Sequence, residues 1–264
     1  MRVNISRVPD GKITLQQTSK VAIVTINRPA ARNALTTNMW REMARMAAEI
    51  RLNPKMKVVI LRGVPENFSA GSDIKEFCEM SVDEANEAFR QMEKAICAFE
   101  ELAIPVIGAI DGPAAGAGFI LALACDLRIG TKHAKMGIPV GRLGITVGPS
   151  FMRRIIRLTG PSKAKSLVYL GEMLSADDAY RSGLLNRLVE PEELHQHVLD
   201  LAETIMQQSK ASLLSVKKAA ALCEWREERD WNYVDPIDFP EGCLAFVEKR
   251  KPNFQDAITE EKER

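Results

Sequence analysis

Two glycine-containing segments, Phe68-Ser69-Ala70-Gly71-Ser72-Asp73-Ile74-Lys75-Glu76 and Asp111-Gly112-Pro113-Ala114-Ala115-Gly116-Ala117-Gly118-Phe119, each follow a strand-like run and lead towards a helix. Backbone N–H groups fixed at such turns, aided by the helix dipole, hold an anion or a developing oxyanion. The same small residues also allow close helix packing. The second segment lacks both the G-x-G-x-x-G order of a dinucleotide fold and the lysine of a P-loop. Ser72 reads as a turn or N-cap serine and Asp73 as a helix N-cap. Arg28 and Arg32 suit phosphate through bidentate contacts, or stand as solvated surface charge. Arg142 would meet a substrate carboxylate or form a surface salt bridge. Asp126 reads as a structural residue at a strand start. His133 sits in a Thr-Lys-His loop, and His195 and His197, two apart on a helix, face different ways, so none reads as a base or a metal ligand.

These turns need rigid supports. Val21–Ile26 is β-branched and ends at Asn27-Arg28-Pro29; Val58–Leu61 and Pro105–Ile110 are further buried strands. Cys125–Ile129 and Leu184–Val189 are the fourth and fifth. Between them, Met39, Met43, Met46 and Ile50 recur at helical spacing, read as core filler, and Asn53-Pro54 closes that helix. A capping box at Ser81-Val82-Asp83-Glu84 opens a helix that carries Ala85, Phe89, Met92, Ile96 and Phe99 on one face and should pack along much of its length. A second cap pairs Ser175 with Asp178. From Pro191 the chain reads helical, with Leu194, Val198, Leu201, Ala202 and Ile205 on one face. Trp225–Pro240 reads as a surface connection before a last helix, Glu241–Lys251. Strand, helix, strand spacing predicts a parallel sheet in one α/β domain with a helical C-terminal extension.

Apolar residues at 46% and charged residues at 27% exclude a disordered or fibrous chain. A formal net charge of +1 removes the electrostatic basis for non-specific nucleic-acid binding. The longest uncharged stretch, Gly112–Cys125, is shorter than the about 20 residues of a membrane span. Five cysteines without a C-x-x-C pair fit reduced thiols, and the first ten residues carry no signal-peptide run, so the expectation is a cytoplasmic chain without disulfides or structural zinc.

Together the pieces resemble the crotonase, or enoyl-CoA hydratase/isomerase, family from about Thr14 to Phe254. Five blocks carry the resemblance in order: Ile26-Asn27-Arg28-Pro29 with Asn33-Ala34-Leu35; Phe68 to Glu76; Gly112 to Asp126; Met136 to Gly144; and Glu241-Gly242, Ala245-Phe246 and Lys249-Arg250-Lys251. The resemblance implies an α/β fold of repeated ββα turns in a spiral core, residues 1–200, holding the acyl-CoA pocket. It also implies a helical trimerisation region, residues 201–264, and assembly as a trimer or a dimer of trimers. The implied ligand is a coenzyme A thioester, with no permanently bound cofactor and no metal, and the implied activity is that of a lyase or isomerase of acyl-CoA metabolism. By resemblance, the main-chain N–H groups of Ser72 and Ala117 hold the thioester oxygen as it gains enolate charge. Ala117 replaces a common glycine and is admissible only where the backbone does not need positive φ.

Arg28, Ala31, Arg32 and Ala70 should lie near the nucleotide and pantetheine, and Phe246 and Lys249 should reach the adenine end from a neighbouring subunit. Asp73, Ile74, Ile120, Pro139 and Val140 complete the implied binding set. The chain departs from the family at the chemistry. The two glutamates of its hydratases fall on Ile120 and Val140, and a third acidic position used by some members falls near Gly148. General acid–base groups contribute about 10²- to 10⁴-fold each, so ordinary hydration is not expected unless Glu76, Glu79 or Glu93 substitutes. Decarboxylation, thioester hydrolysis, non-catalytic acyl-CoA binding and, last, an interaction scaffold are the alternatives.

Overall fold

A computed structural model describes residues 12–225, except 65 and 144, together with residues 248, 250 and 253. β1 (Lys12–Gln17) pairs antiparallel with β2 (Val21–Asn27), whose residues are all buried. α1 (Thr37–Leu52) returns the chain to β3 (Val58–Gly63), parallel to β2. α2 (Ile74–Phe77) and α3 (Val82–Glu100) precede β4 (Val106–Ile110). β5 (Pro113–Ala115), α4 (Ala117–Leu123), β6 (Leu127–Thr131) and β7 (Lys135–Gly137) follow. Then come α5 (Pro149–Leu170), β8 (Met173–Ser175), α6 (Ala176–Arg181), β9 (Arg187–Val189), α7 (Leu194–Met206) and α8 (Lys210–Trp225). A six-stranded sheet in the order β1-β2-β3-β4-β6-β9 is parallel except at β1, and β5-β7-β8 form a smaller sheet.

Both faces of the main sheet are covered, which is why its strands read as continuous apolar runs. Ala22, Val24 and Ile26 of β2 join a core with α1, α3 and α4, while Val21 and Ile23 pack with Val198, Ala202 and Ile205 of α7. α1 starts at Thr36, which accepts from Met39 N, and buries Met39, Trp40, Met43, Ala47 and Ile50. Met46 is only half-buried. α3 opens with the predicted capping box and buries Ala88, Met92, Ala95, Ile96 and Phe99. Its first turns pack less than expected: Val82 is exposed and Ala85 and Phe89 are half-buried, because Phe89 borders a cavity. Ser175 caps α6 through Asp178 N.

Several elements begin later than the sequence suggests. Pro105, Cys125-Asp126 and Leu184–Asn186 stand outside the strands they precede. Asp126 Oδ2 instead accepts from Val106 N at 2.7 Å and pairs with Lys217 of α8 at 2.8 Å, a structural brace. β1 and the three-residue strands of the small sheet were not legible, whereas α4 stands where the second glycine segment leads towards a helix. α5 was not legible either: Gly160-Pro161, a pair that normally ends a helix, interrupts it, and two helical stretches meet at a kink where Gly160 takes a non-helical φ of 76°. α8 reaches Trp225, and the predicted connection and last helix lie outside the described residues save 248 and 250. No helix among the described residues is long and apolar enough to cross a membrane.

α5 is tied to α3 by Arg154, whose side chain is fully buried and pairs with Glu93 at 2.8 Å and Glu100 at 2.6 Å. Burial alone would lower its pKa; the Glu100 and Glu93 carboxylates outweigh burial and raise it. The neighbouring Cys97 thiol is pushed up to about 11 by burial and by Glu93. Arg154→Ala leaves both carboxylates without their counter-charge and should destabilise the fold by about 3–5 kcal/mol, measured by urea unfolding at neutral pH.

Candidate active site

The β3–α2 loop and the β5–α4 junction meet at the C-terminal end of the main sheet. Ser69 N donates to Pro113 O at 3.0 Å and Ala115 N donates to Ser69 O at 2.9 Å, so the two segments pair as short parallel strands. On its other flank the first loop pairs with the β2–α1 connection: Leu35 N donates to Gly71 O at 2.7 Å and Asp73 N to Leu35 O at 2.9 Å. In a parallel bridge these bonds engage the neighbours of Ser72, leaving its own N–H directed to the opposite edge. That edge is the start of α4. Gly71, at φ 95°, brings the two turns together so closely that a Cβ there would stand 2.9 Å from Ala117 N.

Ala117 is the first residue of α4, and its N–H has no intrahelical acceptor. The unusual backbone falls on Gly116, at φ 55° and ψ −123°; Ala117 is not among the positive-φ residues, so alanine is accommodated without strain. Neither Ser72 N nor Ala117 N has a protein acceptor among the described residues. The two donors border a cavity of about 110 Å³ lined by Ala70, Ile74, Phe77, Phe89, Met92, Pro139, Val140, Ile145 and Phe151, among others. Among the described lining residues, only Ser72 carries a hydroxyl, amide or ionisable side chain. Its hydroxyl is already committed, accepting from Trp40 Nε1 at 3.1 Å and donating to Met92 Sδ at 3.4 Å.

The other residues singled out in the sequence are distributed around this cavity. Ile74, Ala70, Pro139 and Val140 line it, whereas Ile120 is fully buried in the core and does not reach it. Asp73 caps α2, accepting from Lys75 N, and binds Arg28 Nη1 at 2.7 Å. Arg28 also donates to Ala34 O at 3.0 Å, so its guanidinium braces the loops. Ala31 is half-buried and Arg32 exposed, in and after a 3-10 turn. Phe246 and Lys249 lie outside the described residues, as does the Arg142 side chain. Glu76 is not a pocket acid: it caps α1, accepting from Thr37 N at 2.8 Å and Thr37 Oγ1 at 3.1 Å. Glu93 is held by Arg154, and Glu79 is exposed. Among the described residues no cluster of three or more His, Cys, Asp or Glu is placed to hold a metal.

Sequence reasoning missed the polar residues that shape the donor turn. Ser69 and Asn33 are fully buried. Ser69 Oγ donates to Asn33 O and accepts from Gly71 N, while Asn33 Oδ1 accepts from Arg28 N and Asn33 Nδ2 donates to Asn67 O. Trp40 was likewise missed, although its place on the methionine face of α1 marks it as buried.

The α/β fold thus brings two backbone N–H groups, without a protein acceptor among the described residues, to the edge of an apolar cavity. The family model for enoyl-CoA hydratase/isomerase matches residues 16–257. The chain is 35% identical over 255 residues to the crotonyl-CoA hydratase of Syntrophomonas wolfei subsp. wolfei, covering 92% of this chain and 97% of that protein. It is 35% identical over 249 residues to the short-chain-enoyl-CoA hydratase of Clostridium acetobutylicum, covering 90% and 95%. Among solved structures it resembles an enoyl-CoA hydratase/carnithine racemase from Magnetospirillum magneticum, with a TM-score of 0.87 at 31% identity over 93% of this chain and 96% of that one. An enoyl-CoA hydratase from Bacillus anthracis gives 0.85 at 30% identity, over 93% and 99%. The chain belongs to the enoyl-CoA hydratase/isomerase family and has the crotonase fold.

Two outcomes follow from the polar contacts. Ser72→Ala orphans the Trp40 N–H and should cost about 1–3 kcal/mol; Trp40→Phe combined with it should cost less than the sum, a coupling read from a double-mutant cycle in urea. Burial raises the Asp73 pKa, but the hydrogen bond from Arg28 and those from the Lys75 and Glu76 backbone outweigh it and leave it lowered. A carboxyl lowered below its unfolded value of about 3.9 contributes stability that is complete above that pH and lost as pH falls through the folded value. Asp73→Asn should therefore be less stable than wild type at pH 7, with the difference shrinking below about pH 4 in an acid series of unfolding curves.

Proposed function

We propose that this chain binds acyl-CoA thioesters and stabilises the thioester enolate between Ser72 N and Ala117 N, without a carboxylate of its own to deliver water or move the α-proton. The observation that carries the reading is the cavity lining, which among the described residues is apolar except for a serine whose hydroxyl is already bonded. The relatives named for crotonyl-CoA and short-chain enoyl-CoA hydration support a CoA thioester as the ligand. The residues at the two hydratase glutamate positions, Ile120 and Val140, argue against the same reaction here.

Decarboxylation of a malonyl-type thioester suits such a cavity best. The electrons of the breaking C–C bond move towards the carbonyl, carbon dioxide leaves, and the oxygen gains its charge between the two N–H groups. The α-carbon then takes a proton from water, so no protein base is required. Removing one such donor typically costs about 3–4 kcal/mol of transition-state stabilisation. In the same reading, Arg28, Ala31, Arg32 and Ala70 border the nucleotide and pantetheine, with exposed Arg32 offering its guanidinium to phosphate. Phe246 and Lys249 reach the adenine end across a subunit contact. A core of residues 1–200, a helical region of 201–264, assembly as a trimer or dimer of trimers, and a cytoplasmic location complete it. The same lining also favours a second reading, an acyl-CoA binder without turnover.

The test is to follow enoyl-thioester absorbance with crotonyl-CoA and product masses with methylmalonyl-CoA. The expected result is crotonyl-CoA loss at the buffer rate and carbon dioxide release from methylmalonyl-CoA above it. Calorimetric binding of both with no turnover of either selects the second reading, and clear crotonyl-CoA hydration overturns both. Val140→Glu, which places a carboxylate at the cavity lining, should raise hydration, since a carboxylate in place contributes about 10²- to 10⁴-fold, whereas Ile120→Glu buries an unpaired charge in the core and should lower stability instead.

A further inference from the structure

Across the main sheet from the acyl cavity, the face that packs on α7 runs out of apolar residues at the C-terminal ends of the strands. By the two-residue period, Ile23 of β2 is followed on that face by Thr25, Ile60 of β3 by Arg62, and Ala109 of β4 by Asp111. Thr25 and Arg62 are register partners, as are Arg62 and Ala109. With Pro191 and the first turns of α7 these residues enclose a cavity of about 170 Å³, larger than the acyl cavity. Its walls are Ile23, Ile60, Ala109, Leu194, Val198 and Leu199, and its polar side chains are Arg62, Asp111 and His195.

Arg62 is the unusual member. Its Nε donates to Thr25 Oγ1 at 3.1 Å, and among the described residues no carboxylate pairs with it and its terminal N–H groups make no hydrogen bond. Asp111 does not supply the counter-charge: its Oδ1 accepts from Thr131 Oγ1 at 2.7 Å and its Oδ2 from Glu66 N at 2.9 Å. A half-buried guanidinium against apolar walls is costly unless something pairs with it. Burial accordingly lowers the Arg62 pKa, and burial with the nearby Arg62 charge lowers that of His195. Both effects disfavour a second positive charge at His195 beside Arg62.

We propose that this cavity is a binding site for a small monocarboxylate with a short apolar tail, its carboxylate on Arg62 and its tail against the α7 wall. A planar guanidinium with unused donors matches a carboxylate in a bidentate pair. A single cation, with Asp111 on the same wall, disfavours a dianion such as phosphate. The position is also where parallel sheets take ligands, outside the carboxyl ends of the strands. The proposal is independent of the acyl-CoA reading, which concerns the opposite face.

Calorimetric titration of the full chain with acetate, butyrate and hexanoate, and separately with inorganic phosphate, tests it. Saturable butyrate binding is expected to persist when butyryl-CoA is present in excess, and to tighten by about fourfold per added methylene until the cavity is full. Arg62→Gln should weaken butyrate at least about tenfold. Leu199→Trp, which fills the cavity and leaves the guanidinium in place, should abolish binding, and decides the matter if Arg62→Gln does not fold. Absence of saturable butyrate binding, its displacement by butyryl-CoA, or unchanged binding in a folded Arg62→Gln or Leu199→Trp protein overturns the site. Phosphate binding as tight as butyrate overturns the assigned ligand class.

Discussion

Ser69 and Asn33 are both fully buried, and each polar atom they bring inside must find a partner there or cost about 1–3 kcal/mol. Between them they bond three otherwise separate segments. Asn33 bonds the start and end of its own left-handed turn and reaches Asn67 O. Ser69 uses its hydroxyl on Asn33 O and Gly71 N and its main chain on Pro113 and Ala115. The consequence is geometric: the strand containing Gly71 is paired on both flanks before it turns, so the Ser72 N–H has only one direction left. The donor pair at Ser72 and Ala117 depends on this knot, although neither Ser69 nor Asn33 borders the cavity.

Around the knot the described charges are arranged to stay out of the cavity that Ser72 and Ala117 border. Asp73 turns to Arg28, Glu76 to the N-terminus of α1, and Glu93 to Arg154. Each carboxylate gains a cation or backbone donors, which a buried carboxylate needs. What remains facing the cavity is apolar surface and two amide dipoles. Such dipoles act strongly where water is excluded, because they need no reorganisation as charge develops. The apolar lining therefore strengthens the field of the donor pair that it surrounds.

Much of this architecture is legible in the chain. β2, β3 and β4 announce themselves as β-branched runs, because strands covered on both faces need apolar residues throughout. The capping box at Ser81 and the cap at Ser175 are local hydrogen-bond patterns and so can be read locally. α5 is hidden by Gly160-Pro161, which does interrupt the helix: Gly160 is non-helical, and two helical stretches, one burying Ile155 and the other Ala164 and Leu167, meet there at a kink. The short strands of the small sheet have too few residues to show a period.

The same boundary runs through the site. Sequence alone determined that two glycine turns follow strands, that residue types at positions 72 and 117 resemble an oxyanion pair, and that isoleucine and valine stand where hydratases of the family carry glutamate. Only tertiary structure decided which charged groups near those turns are already spent. Glu76 meets Thr37 across 39 positions and Glu93 meets Arg154 across 61, and no local pattern encodes a partner that far away. Tertiary structure also decided that Ile120 is core while Val140 faces the cavity, and that Arg62 stands at a second cavity without a carboxylate partner among the described residues. Charge pairing and cavity shape arise from side chains that converge in space, whereas turns, caps and strand faces arise from neighbours along the chain.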